Sequence, residues 1–246
     1  MITVIDDQPD FLVVAKPAGV SFHDSHSAHE TQDLSAAPVD SPKGITQGFF
    51  NQLKHQTQRT LFPVHRLDAL TSGLLICAKH KTAAAQFGEL FEKHQIQKYY
   101  LAISDGKPKK KQGLIKGDME KTRKGNWKLT QSTTHPALTQ FFSCSVSPGV
   151  RLFLIKPLTG RTHQIRVALK SIGSPIIGDA RYHNVHSMEN PDRGYLHAYA
   201  LVFEWRGSAF HYRLPPTEGE LFNQENCLGQ LNGAYSEPWN LDWPKI

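Results

Sequence analysis

Cysteine is scarce in this 246-residue chain, with only Cys77, Cys144 and Cys227 present. They are odd in number, far apart and without metal-ligand spacing. That argues against a disulfide framework or a zinc site and fits a reducing compartment. Long apolar runs are also missing, and none approaches the ~20 residues needed to cross a bilayer. The opening residues Met1 to Asp7 show no basic region, apolar stretch or cleavage site, so the expected setting is the cytoplasm. With no heptads and no long exposed apolar stripe, a monomer is expected. What the chain does have is enough apolar content, 39%, to bury a core as one large domain or two small ones.

Acidic charge is missing from one place in particular. Residues 107–128 hold nine Lys or Arg against only Asp118 and Glu120, a net +7, while the whole chain carries +6. The excess is therefore local, as in a contact with a polyanion, although a run of charge is as often simply a solvated loop. Lys109, Lys110 and Lys111 are its densest part.

Apolar patterning places a hairpin at Ile2–Asp6 and Phe11–Ala15, broken by Gln8-Pro9-Asp10 and ending at Lys16-Pro17-Ala18-Gly19. Residues 23–43 lack periodicity and read as an exposed polar loop. His23, His26 and His29 within it have no scaffold to anchor a metal. Ala83, Ala84, Phe87, Leu90 and Phe91 recur at helical spacing, predicting an amphipathic helix over Thr82–His94. Strands are expected at Lys98–Ile103, Ala137–Val146, Val150–Lys156, Tyr195–Trp205 and Ala209–Leu214. On the first of these Lys98, Tyr100 and Ala102 share a face, so Tyr99 points the other way. Strands that outnumber helices and cluster as hairpins imply an α+β domain on a mixed, mostly antiparallel sheet with flanking helices.

Two stretches carry the chemistry. His65-Arg66-Leu67-Asp68-Ala69-Leu70-Thr71-Ser72-Gly73 packs one carboxylate among a cation, two hydroxyls and a glycine. The apolar run Gly73–Ala78 that follows reads as a buried strand, pinning the loop at its exit. By itself such an Asp is usually a turn residue, and its pairing with Arg66, two residues away, a local ion pair. The second stretch, Pro157 to Arg166, leads from a strand into a helix whose apolar stripe is Ile165, Ala168, Leu169 and Ile172, with Gly173 as its stop. This places His163 and Arg166 together on another face near the helix start.

At these residues the chain resembles the RluA-type RNA pseudouridine synthases. His65 to Gly73 matches their HRLDxxTSG signature and Gly160 to Arg166 their GRTHQIR signature. Lys16-Pro17-Ala18-Gly19, Lys98-Tyr99-Tyr100, Pro175 to Asp179 and Leu196-His197-Ala198 follow in the family's order. The likeness spans about residues 2–215, which implies a catalytic domain over 1–215 and a C-terminal tail, 216–246, packed on it. It implies isomerisation of uridine to pseudouridine in structured rRNA or tRNA, with Asp68 as the essential carboxylate, Arg166 as its partner and Tyr100 as the ring beneath the uracil. Arg66 would fill the space a flipped-out nucleotide leaves. Lys16, Arg161 and His163 would join Arg66 and the Lys109–Lys111 cluster in binding RNA.

No metal, nucleotide or redox cofactor is implied, and RNA is the expected partner, with no membrane and no obligate protein partner. The first strand begins at Ile2, which leaves no room for the S4-type domain of several relatives, so RNA affinity is expected to reside in the catalytic domain. The competing reading is a catalytically silent RNA-binding protein. A glycosidase would want two carboxylates flanking its bond.

Overall fold

A computed structural model of the chain describes residues 1–26, 45–123, 125–183 and 190–246. Most of the polar loop expected over 23–43 lies outside the described residues. The chain opens with the expected hairpin, β1 (Thr3–Asp7) against β2 (Phe11–Lys16). Two-residue strands β3 (Ser25–His26) and β4 (Ile45–Thr46) pair with each other ahead of α1 (Phe49–Thr57). Then come β5 (Phe62–Pro63), β6 (Thr71–Ala78), α2 (Lys81–Glu92) and β7 (Gln97–Ser104). The basic segment supplies β8 (Gln112–Gly117) and a separate hairpin of β9 (Met119–Lys121) with β10 (Trp127–Leu129). A long hairpin, β11 (Ala137–Ser147) and β12 (Val150–Pro157), delivers the chain to α3 (Gln164–Ser171). After it come β13 (Leu196–Trp205), β14 (Ser208–Arg213) and α4 (Glu225–Asn232).

Ten strands form the central sheet in the order β1-β2-β6-β13-β7-β12-β11-β8, with β14 beside β13 and β5 beside β6. Every pairing among the described residues is antiparallel except β6 with β13. That is the α+β architecture expected from clustered hairpins.

Strand β6 is buried along its whole length because helices cover both its faces. Leu74 and Ile76 pack with Ala83 and Phe87 of α2, while Leu75 and Cys77 pack with Phe49 and Leu53 of α1. Each such side chain, fully withdrawn from water, contributes roughly 1.5–3 kcal/mol, and this anchors the loop that enters β6. Gly73 sits at φ +107°, where a Cβ would overlap the Ala198 carbonyl oxygen of β13; only glycine permits that approach.

The tail is part of the main core: Phe222, Cys227, Leu231 and Tyr235 are buried with Leu154 and Tyr199. The Tyr199 hydroxyl donates to the Tyr235 carbonyl at 3.0 Å. No helix among the described residues is long and apolar enough to cross a membrane.

Candidate active site

The loop between β5 and β6 is fixed from several sides. The His65 Nε2 accepts the Ile76 amide proton at 3.0 Å, which requires a neutral ring with its proton on Nδ1, and the ring packs on Phe91. Burial first, and the nearby Lys98 charge second, hold its pKa down to about 3. The Thr71 amide donates to the Asp68 carbonyl at 3.0 Å, closing the turn, and the Gly19 amide donates to the Ala69 carbonyl at 2.9 Å.

Lys16, expected to face RNA, is instead 1% exposed. Its ammonium donates to the carbonyls of Pro17 (2.9 Å), Ala69 (3.2 Å) and Thr71 (2.9 Å). Three acceptors match its three protons. Burial lowers its pKa to about 7, against the opposing pull of Asp68. Its charge is spent on shaping the Asp68 loop, so no donor is left for RNA.

Beneath the loop, the Ser72 hydroxyl donates to His197 Nδ1 at 2.7 Å, since His197 Nε2 donates to the Leu214 carbonyl. Arg193 donates to Ser72 Oγ at 2.6 Å and also to the Glu218 carbonyl at 3.2 Å, tying the loop to the start of the tail.

Asp68 itself is one-fifth exposed and meets Arg166, whose Nη1 donates to Oδ2 at 3.2 Å. The short helix α3 holds Arg166 buried, and Asp179 clamps the rest of the guanidinium through Nε (2.8 Å) and Nη2 (2.7 Å). Burial opposes the arginine's charge, but Asp179 and then Asp68 outweigh it and raise its pKa. The clamp orients the remaining nitrogen, Nη1, toward the Asp68 carboxylate.

His163 caps α3 in a left-handed conformation, φ +57°. Its Nε2 stands 4.0 Å from Asp68 Oδ2, and its Nδ1 hydrogen-bonds the Tyr182 hydroxyl at 2.9 Å. Burial first, then Arg166 and Arg181, depress its pKa despite the Asp68 charge. Tyr182 also accepts the Trp127 amide proton and lies under the Arg166 guanidinium, latching the β9–β10 hairpin to the site.

These groups line a cleft of about 690 Å³ containing Asp68, Tyr100, Arg66, Arg161 and His163. Burial, and then the Asp68 charge, push the Tyr100 phenol well above its ordinary range, so it stays a protonated flat ring rather than a base. Arg66 is exposed at the cleft and has no ion pair with Asp68 among the described residues. The structure thus brings together six of the expected residues: Asp68, Tyr100, Arg166, Arg66, Arg161 and His163.

It does not bring Lys109, Lys110 or Lys111 there. They precede the end of β8 that pairs with Phe142, whereas the cleft opens at the opposite end of the sheet, where Thr139 pairs with Pro157. Three further residues join the site: Asp179, Tyr182 and Lys98. Of these, Asp179 lies within a motif the family resemblance already touched, and Lys98 shares the Tyr100 face of β7. Tyr182 carries no sequence signal.

The model of the RNA pseudouridylate synthase family matches residues 10–171. An uncharacterized RNA pseudouridine synthase of Haemophilus influenzae is 41% identical, over 97% of this chain and 98% of its own. The ribosomal large subunit pseudouridine synthase C of Rickettsia bellii is 38% identical over 81% of this chain, which spans 62% of that relative. Among solved structures, human RNA pseudouridylate synthase domain containing 1 superposes with a TM-score of 0.72 at 25% identity, covering 96% of this chain and 95% of its own. Human RNA pseudouridylate synthase domain containing 4, at 22% identity and a TM-score of 0.63, shares the fold. With both signatures folded into one cleft, and a family match over most of its length, the chain belongs to the RNA pseudouridylate synthases, isomerases that act on uridine in RNA.

Proposed function

We propose that this chain converts uridine to pseudouridine at a site in structured ribosomal or transfer RNA, with Asp68 acting on a flipped-out nucleotide. The observation that carries this reading is the Asp68 carboxylate held by Arg166, itself clamped by Asp179, at a cleft shared with Tyr100. The reaction breaks the N1–C1′ bond of the uridine and forms a C5–C1′ bond. The C5 proton leaves to solvent and N1 gains one, so no oxidant or co-reactant is needed. An ionised Asp68 serves either route to the free base, by attack at C1′ or by removal of the C2′ proton.

Arg166 holds and orients the Asp68 carboxylate through Nη1. Tyr100 offers a ring for the uracil to stack on. Arg66, planar and exposed at the rim, is suited to occupy the stack a flipped nucleotide vacates, which offsets the few kcal/mol of unstacking. Arg161 and the basic hairpin add attraction for phosphate. A ribosomal substrate is favoured by the relative named for the large ribosomal subunit.

The test is tritium release from RNA labelled at uridine C5. Release by the parent and its loss, by at least about 10⁴-fold, in Asp68→Asn is the expected result. RNA binding without release would instead make the chain a silent binding protein. Pseudouridine maps of RNA from cells with and without the gene would name the target.

A further inference from the structure

Lys98 presents a partly buried charge that no hydrogen bond or ion pair holds among the described residues. Its side chain lies largely out of water on β7 and lines the same cleft as Asp68. Among the described residues no carboxylate or carbonyl oxygen comes within hydrogen-bonding distance of its ammonium, and burial alone acts on it, lowering its pKa. Its ammonium stands 5.8 Å from the centre of the Phe91 ring and beside Gly160, where a Cβ would come within ordinary contact of Nζ at 3.7 Å.

A partly buried cation without a hydrogen-bond partner costs stability, and one that lines an open cleft is prepared for an anion. Contrast Lys16, whose three protons all meet carbonyls. The position of Lys98 says which anion. It is two residues before Tyr100 on the same face, so the two side chains start roughly 6.6 Å apart along the strand. That is the scale on which a nucleotide separates its base from its own phosphodiester.

Building on the proposed RNA reaction, we infer that Lys98 is the phosphate-binding residue of the cleft, gripping the phosphodiester that flanks the flipped uridine while its base lies at Tyr100. Arg161, on the loop past Gly160, faces the same opening. The lysine acts as a point charge on the backbone, so it positions the nucleotide without reading its sequence.

The experiment compares the parent with Lys98→Met, which keeps length and packing, and with Lys98→Arg, which keeps the charge. For Lys98→Met, KM for RNA should rise about tenfold while kcat falls less than about threefold. The slope of log Kd against log salt should lose roughly one phosphate's worth, ~0.7–1. The RNA-free protein should melt at the parental temperature or above it, because the uncompensated charge is gone. Lys98→Arg should retain the salt slope. A parental KM and salt slope in Lys98→Met would overturn the inference, as would a lowered melting temperature that Lys98→Arg restores without restoring KM. Filter binding and its salt slope read Lys98 even if the parent releases no tritium, so failure of the proposed reaction and failure of this inference are told apart.

Discussion

The two places where this chain concentrates functional charge are built in opposite ways. In the cleft, Arg166 has all three guanidinium nitrogens engaged on Asp179 and Asp68, and Lys16 has every proton on a carbonyl. Across 107–128 the described basic side chains are exposed or half-exposed, with one surface ion pair between Lys128 and Glu120. Charges pinned by several partners hold a fixed geometry, which chemistry requires. Loosely held charges exert only a screened attraction, of the kind suited to a first encounter with a polyanion.

The sharpest way to break this contrast is to unclamp the pinned side. Asp179→Ala leaves the buried Arg166 with a single partner. Urea unfolding should show a loss of roughly 3–5 kcal/mol, and kcat on RNA should fall about 100-fold or more as the guanidinium turns away from Asp68. A variant with parental kcat would show that Asp68 needs no such orientation.

A smaller effect is expected from the buried histidines that support the pinned side. Burial, outweighing the opposing Leu214 hydrogen bond, holds His197 at a pKa of about 4, while the unfolded chain protonates near 6.5. Between these values the unfolded state binds more protons, so stability falls as pH drops from about 6.5 towards 4. His65, neutral to about 3, adds to the same slope. His197→Gln should reduce the dependence measured by urea midpoints from pH 6.5 to 5 by about one proton, ~1.4 kcal/mol per pH unit. An unchanged slope would mean that His197 does not stay neutral in the folded protein.

The smallest effects belong to the loose side. Replacing Arg123 and Lys128 of the β9–β10 hairpin by alanine should change stability by less than ~0.5 kcal/mol and reduce the salt slope of RNA binding by about 1.4. The Lys109, Lys110 and Lys111 triple replacement should reduce it less, since those residues sit at the far end of β8. An equal or greater reduction would extend the RNA footprint along the whole edge strand.

What could be read without coordinates follows the same division. β6 announces itself because all eight of its positions are buried, and the last six, Gly73–Ala78, write an unbroken apolar run. α2 shows its helical stripe, and its observed limits differ from the expected ones by one or two residues. α1 was invisible: Gly48 caps it without a side-chain bond, and only Phe49, Phe50 and Leu53 are buried on it. A stripe that short has no clear period.

Asp68 and Arg166 were legible through their signatures. The burial of Lys16 was not, because its acceptors at Ala69 and Thr71 lie 53 and 55 residues away and a lysine at a strand end ordinarily reaches for water. Where the three clustered lysines sit was not legible either, since sequence density says nothing about which end of an antiparallel strand faces the cleft.

One pairing sets a clock for the enzyme's own synthesis. Thr71, Ser72 and Gly73 form their ladder with Leu196, His197 and Ala198 of β13. Those three partners are translated 125 positions later, about 6–25 s at ordinary ribosomal speeds. The nascent chain carries Asp68 through that interval without the strand that seats its loop. A ribosome-bound fragment ending before β13 therefore lacks the strand that seats the Asp68 loop, and it is expected to release no tritium from RNA labelled at uridine C5.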